Sequence, residues 1–344
     1  MEDLRMDLRV GIIGCGMIGK EHAKRLQYKI QGVVVAAVCD VFEAGAKAAS
    51  ELIGGAKVYT DAAELINDPE IDAVVVTTPG NFHKDPILKA IAAGKPVFTE
   101  KPLTTTAAEC REIVDAEIAS GKHLVQVGFM RRYDRGYNQV KELIENGEFG
   151  APLVLKCTHR AESVADDYTT EMAVTDTAIH EIDVLPWLIG GDEWDEVQCI
   201  MPKTTKNAHG GLKDPQVMIM KTKGGVVCVL EVNVNCGFGY DINCEVVCED
   251  GVISLPCPSF PTTRRNFEVS TAIEKNWILR FIDSYDVELQ DWVDNVKAGT
   301  TGGSSAWEGY TAAITADALV ASQKSGKAEK VVTGGTPDFY KTNK

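Results

Sequence analysis

The stretch Val10-Gly-Ile-Ile-Gly14-Cys-Gly16-Met-Ile-Gly19 constrains the fold more than any other in this chain. A short apolar strand runs into a helical segment continuing through Ala23 and Leu26, which is the setting in which a GxGxxG pattern binds a dinucleotide. Gly14 permits the tight turn, Gly16 lets a pyrophosphate approach the backbone, and Gly19 allows the helix to pack closely on its strand. Met17 and Ile18 open the helix whose N-terminus faces the phosphates, and they count with the glycines as cofactor contacts.

Beyond Leu26 the chain alternates strand with helix. Val33–Cys39 is a near-continuous apolar run of the kind found in a buried parallel strand, and it ends at Asp40. An acid there hydrogen-bonds the adenosine ribose 2′-OH and repels a 2′-phosphate, so NAD is preferred over NADP. A helix over Glu43–Leu52, a strand at Lys57–Tyr59 and a helix from Ala62 capped by Asp61 come next. Strands at Ala73–Thr77, Val97–Thr99 and Leu124–Val127 then flank helices over Lys84–Ala93, closed by Gly94, and Thr106–Ser120, closed by Gly121. This spacing predicts a doubly wound parallel sheet with its ligand at the C-terminal strand ends. Two loops lie there. One, Thr77-Thr78-Pro79-Gly-Asn-Phe-His83, offers Thr78, Pro79 and His83 to the cofactor, although His83 reads equally as an ordinary helix-start residue. The other, Thr99-Glu100-Lys101-Pro102, holds a lysine beside a rigid proline, placed to donate to a substrate oxygen near a nicotinamide.

A chain of 344 residues exceeds what one hydrophobic core usually serves. The βα alternation stops near Phe129, which divides the chain into a nucleotide-binding domain at 1–128 and a second domain at 129–344. The net charge of −15, with no basic patch, excludes nucleic acid and anionic membrane as partners. Ten cysteines are scattered without a CxxC pair, as free thiols in a reducing compartment would be. The charged N-terminus is unlike a signal peptide and no apolar run reaches a membrane span, so a cytoplasmic enzyme is expected.

In the second domain the chemistry gathers on Asp176-Thr-Ala-Ile-His180-Glu-Ile-Asp183. If helical, the stretch sets Asp176, His180 and Asp183 on one face, with Ala178, Ile179, Ile182, Val184 and Leu185 free to enter a core. The alternative is a solvated polar face. An imidazole between carboxylates suits proton transfer near neutral pH. Thus His180 is the candidate general base, Asp176 its orienting partner, and Lys101 the donor that stabilises a developing alkoxide. No metal is called for, since no cysteine pairs with a histidine at ligand spacing. Past this stretch, hairpin signals at Lys223-Gly-Gly225 and Glu249-Asp-Gly251 mark adjacent antiparallel strands. Between them, Val226–Asn233 has one wholly apolar face and one half-apolar face, a candidate subunit interface.

Glu100-Lys101-Pro102 after a nucleotide-binding half, together with Asp176–His180, resembles the glucose-fructose oxidoreductase and inositol dehydrogenase family. Within it, Gln126–Asp134, Asp176–Asp183 and Ser305–Tyr310 look like the bacterial inositol 2-dehydrogenases. The resemblance implies a Rossmann domain plus a C-terminal α/β domain with an open, mostly antiparallel sheet, assembled as a homotetramer. It also implies that Lys101, Asp176 and His180 form a catalytic triad, and that Met130, Arg131, His159, Thr177, Asp183 and an aromatic near Tyr240 line the polyol pocket. One departure is Gly80 after Pro79, where the family commonly has Asn. The implied reaction is NAD-dependent oxidation of myo-inositol to scyllo-inosose. The alternatives are the same chemistry on scyllo-inositol or another cyclic polyol or hexose, and a non-catalytic NAD-binding sensor.

Overall fold

Val33–Cys39, seven residues without a charge, forms a strand whose every side chain is buried or half-buried, and Ala73–Val76 nearby is uncharged and wholly buried. In a computed structural model describing residues 7–256 and 260–341, the strands β1 (Leu8–Ile13), β2 (Val33–Cys39), β3 (Lys57–Tyr59), β4 (Ala73–Val76), β5 (Val97–Glu100) and β6 (Val125–Gly128) lie in the order β6-β5-β4-β1-β2-β3, all parallel. A two-residue strand, Ser304–Ser305, adds antiparallel to β6. The charged N-terminal stretch and Cys257 fall outside the described residues.

The connecting helices are α1 (Met17–Tyr28), α2 (Glu43–Leu52), α3 (Ala62–Asn67), α4 (Lys84–Ala92) and α5 (Ala107–Ser120). Their ends follow local chemistry. The Asp61 carboxylate accepts from Ala63 N at 2.7 Å and the Thr106 hydroxyl from Glu109 N at 3.3 Å, while Gly121 closes α5 with φ of 67°. Strand order reverses between β1 and β4, so the crevice at the C-terminal ends of the strands is where such a sheet binds its ligand.

By its internal contacts the chain forms two units. The first comprises residues up to Phe129 together with Tyr285–Ala313 and the segment from Gly334; the second comprises Met130–Ser284 and Ile314–Thr333. Leu289, Trp292 and Val293 of the helix Ile282–Ala298 share one apolar core with Val10, Ile12, Leu26, Val35, Val75 and Phe98. The Trp292 and Phe98 rings meet edge-on at 5.8 Å.

The second unit carries α6 (Arg135–Glu145), β7 (Pro152–Arg160), α7 (Ile179–Leu188), β8 (Trp194–Ile200), β9 (Gln216–Thr222), β10 (Val227–Asn233), β11 (Asp241–Cys248) and β12 (Val252–Ser254). Its sheet runs β12-β11-β7-β10-β9-β8, closed by Glu329–Lys330. All pairings are antiparallel except β7 with β10. Along β10, Cys228, Leu230 and Val232 are buried while Val229 is exposed on the other face. Among the described residues no cysteine is held in a disulfide; Cys157 and Cys244, opposite each other on β7 and β11, bring their Sγ atoms to 3.6 Å. Among the described residues no helix is long and apolar enough to cross a membrane.

The helix α6 begins at Arg135, where the Asp134 carboxylate caps it through Gly136 N and Tyr137 N. The helical run that starts at Trp277 breaks at Phe281, whose fully buried ring lies beneath the guanidinium groups of Arg131 and Arg280. The Asp176–Asp183 stretch is helical, but its first part is a π-helical turn, Ala173–Ala178, that passes into α7. Such wide turns concentrate at functional sites.

Candidate active site

In the first unit the three glycines have three different surroundings. A Cβ on Gly14, whose φ is +100°, would lie 2.5 Å from Thr78 N; one on Gly19 would lie 2.0 Å from Gly14 O. One on Gly16 would meet nothing within 4 Å. Tight turn, close helix packing and open ground for a phosphate are thus separately built into Gly14, Gly19 and Gly16. Thr77 secures the turn, its hydroxyl donating to Gly14 O at 2.6 Å. Asp40, just past β2, accepts from Cys15 N at 2.8 Å through Oδ2 and from Phe42 N at 2.9 Å through Oδ1. Met17 stands exposed at the start of α1, with Ile18 half-buried beside it. The Thr78 hydroxyl is buried without a hydrogen-bond partner, as a group reserved for a ligand would be. These residues fit a dinucleotide.

His83 is buried at the head of α4, and its Nε2 lies 2.7 Å from Thr78 O and its Nδ1 2.8 Å from Pro102 O. Both partners only accept; a neutral ring donates to one of them, an imidazolium to both. Burial pushes the His83 pKa down, against the pull of those two carbonyls. Glu100, at the end of β5, is buried, and its Oε2 accepts from Lys101 N at 3.2 Å. Lys101 itself is half-buried.

In the second unit, Met130 and Arg131 lie fully buried on a single 3-10 turn. The Arg131 guanidinium pairs with Glu181, and its Nη2 lies 3.1 Å from His159 Nδ1. Glu181 Oε2 lies 3.0 Å from the same Nδ1, and Tyr240 Oη lies 3.2 Å from His159 Nε2. The His159 and His180 rings are 6.2 Å apart. Arg131 and His159 thus meet on the carboxylate of Glu181, which the sequence reading passed over, and Tyr240 and His180 stand on His159 from other sides. Burial pushes the Glu181 carboxyl up, and the Arg131 guanidinium with His159 outweighs it, leaving Glu181 below its ordinary value. Burial raises Tyr240 to about 12, against the lowering charge of Arg131.

Asp183 is buried and takes a two-pronged ion pair from Arg132. Thr177 Oγ1 lies 2.6 Å from the Tyr168 hydroxyl. Burial, and then the charge of Asp176, push the Tyr168 hydroxyl above its ordinary value. No motif could have announced Glu181, Arg132 or His22, since each acquires its partner only through the fold. The sole hint was arithmetical: two adjacent arginines, Arg131 and Arg132, matched by acids at 181 and 183.

A glycine turn shaped for pyrophosphate, an acid at the second strand end and a buried histidine cluster on a mixed sheet define a two-domain NAD-dependent oxidoreductase. Residues 8–129 match the oxidoreductase family's NAD-binding Rossmann fold, and residues 141–332 match its C-terminal alpha/beta domain. The chain belongs to this GFO/IDH/MocA oxidoreductase family. It is 49% identical over 337 residues to the inositol 2-dehydrogenase of Klebsiella pneumoniae subsp. pneumoniae, covering 98% of this chain and 100% of that one. To the inositol 2-dehydrogenase of Azotobacter vinelandii it is 50% identical over 336 residues, covering 97% and 99%. Among solved structures, the myo-inositol dehydrogenase of Lactobacillus casei in complex with NAD(H) and myo-inositol superposes with a TM-score of 0.95 at 42% identity, covering 97% of this chain and 100% of that one.

Proposed function

We propose that this chain oxidises myo-inositol to scyllo-inosose as an NAD-dependent inositol 2-dehydrogenase, with Lys101, Asp176 and His180 as its catalytic residues. The observation that carries the reading is the end-to-end similarity to inositol 2-dehydrogenases at about half of all positions. The cluster of His180, His159 and Tyr240 supports it.

Bound NAD supplies the hydride acceptor, so the substrate must present a C–H whose carbon becomes a carbonyl. An alcohol proton, with a pKa far above neutrality, has to leave as that bond breaks, and His180 takes it. Asp176 orients the imidazole and counters the imidazolium that forms. Lys101 donates a hydrogen bond to the substrate oxygen and stabilises its growing negative charge. Gly14, Gly16, Met17, Ile18, Gly19, Asp40, Thr78, Pro79 and Glu100 form the cofactor side, and His83, with both ring nitrogens engaged by Thr78 O and Pro102 O, stands behind it. Met130, Arg131, His159, Thr177, Asp183 and Tyr240 form the polyol side. A ring bearing hydroxyls in every direction is told from its stereoisomers by such a set, because each bond that a wrong isomer fails to make leaves a buried polar group unpaired. Arg131, engaged by Glu181, serves this set by holding His159.

The reading includes a cytoplasmic location and a homotetramer, the latter resting on the family resemblance. The apolar Val229, Ile219 and Ile200 exposed on the outer face of the second sheet support burial against another copy.

The test is NADH formation from NAD with myo-inositol, scyllo-inositol, D-chiro-inositol and glucose. The expected result is the highest kcat/KM with myo-inositol and a ketone product. A clear preference for another polyol would replace the substrate, and NAD binding without turnover on any of them would return the chain to a sensor.

A further inference from the structure

The loop that carries Lys101 is gripped from both sides by a histidine, and the two histidines come from the two segments that carry the candidate cofactor contacts. On one side His22, on α1 six residues past Gly16, is wholly buried, and its Nε2 lies 2.7 Å from Glu100 Oε1. The other oxygen of that carboxylate, Oε2, accepts from the backbone N–H of Lys101 itself. Glu100 therefore links α1 directly to the main chain of Lys101. The His22 ring is fixed in turn, standing edge-on to Phe98 at 6.0 Å and tilted against Tyr285 at 5.7 Å, while its buried Nδ1 makes no hydrogen bond.

On the other side His83 joins Thr78 O to Pro102 O, so that the loop after β4 is tied to the residue following Lys101. Thr99 Oγ1, at 3.4 Å from His83 Nδ1, touches the same ring from β5. Gly80 makes the approach of these loops close: a Cβ there would sit 3.2 Å from Pro102 Cγ.

We infer that His22 and His83 are positioning residues for Lys101, holding Glu100 and Pro102 so that the lysine keeps its place relative to the segments that bind NAD. A loop at a strand end is mobile unless tied, and a donor displaced by about 1 Å can lose on the order of a hundredfold in rate. The two ties act on the residues either side of the lysine rather than on its ammonium group. The inference rests on the proposed catalytic role of Lys101, and a double-mutant cycle separates the two.

The variants are His22→Phe, which keeps a ring against Phe98 and Tyr285 but loses the bond to Glu100, and His83→Phe. They are made in the full-length protein, alone and combined with Lys101→Met. Turnover is measured with the best substrate among the four polyols and sugars of the NADH assay, and NAD affinity by fluorescence titration. The expected result is a fall in kcat of about tenfold to a hundredfold for each histidine variant, with NAD affinity changed by less than about threefold. Either histidine substitution should then cost little further when Lys101 is already Met. Should a phenylalanine variant fail to fold, His22→Gln and His83→Gln keep one donor in reach and should restore much of the rate. Histidine losses that add in full to the Lys101→Met loss, or a loss that resides in NAD affinity, would overturn the positioning role while leaving Lys101 catalytic. Unchanged turnover in Lys101→Met would overturn the reading beneath it.

Discussion

Arg132 and Asp183 face each other as a two-pronged ion pair, Nε 2.9 Å from Oδ2 and Nη2 2.5 Å from Oδ1, with both side chains nine-tenths or more buried. Breaking a buried pair from one side strands the other charge, which typically costs about 3–5 kcal/mol. Arg132→Met should therefore lower the free energy of unfolding by about that amount, measured by urea denaturation. A loss below about 1 kcal/mol would mean that the pair is held open to water.

His180→Ala tests the base. Turnover should fall by about 10²-fold or more, because general-base assistance is worth that much, while NAD titrates as in the parent. Unaltered turnover would remove His180 from the mechanism.

Beside its proposed part in cofactor choice, Asp40 secures Cys15 N in the glycine turn through Oδ2. Asp40→Ser should narrow the ratio of kcat/KM for NAD over NADP by about tenfold or more, the worth of one charge-assisted hydrogen bond. It should also weaken NAD itself. A ratio equal to the parent's would place cofactor selectivity elsewhere.

Glu117 offers a pH test remote from the chemistry. Its carboxylate is buried, accepting from Leu124 N at 2.6 Å and Val125 N at 2.8 Å on one oxygen and from the Tyr340 hydroxyl at 2.5 Å on the other. Burial raises its pKa against the pull of these bonds. The folded state thus holds its proton to higher pH than the unfolded chain, so this group's contribution is full below the ordinary glutamate value and is lost as pH rises through the raised one. Glu117→Gln, which has no proton to lose, should have the higher urea midpoint at neutral pH, with the gap closing as pH falls. A gap independent of pH would rule out Glu117 as its source.

Much of this architecture can be read before folding, where the signal is local. Val33–Cys39 announces a buried strand because all seven residues are uncharged, and Asp61 and Thr106 announce helix starts because a short oxygen-bearing side chain satisfies a nearby N–H. The strand Trp194–Ile200 escaped because a shift of register between Trp194 and Glu196 breaks its two-residue alternation, setting two acids side by side. The π-helical turn at Ala173–Ala178 has no marker in residue type. Glu181 looked like one more polar residue on a helix, and its partner Arg131 lies 50 positions away. Lys101, Asp176 and His180 were legible as chemical types in suggestive places, but the histidines beneath Lys101 become visible only when α1 and β5 are brought together.

The return of Tyr285–Ala313 to the first unit has a practical consequence for anyone wishing to excise the nucleotide-binding portion as a module. A fragment ending at Phe129 would leave Val10, Leu26, Val75 and Phe98 without the cover of Leu289, Trp292 and Val293, presenting a sticky apolar wound to solvent. A workable chimera has to carry that later helix along, so the cofactor-binding portion is complete only after most of the protein has left the ribosome.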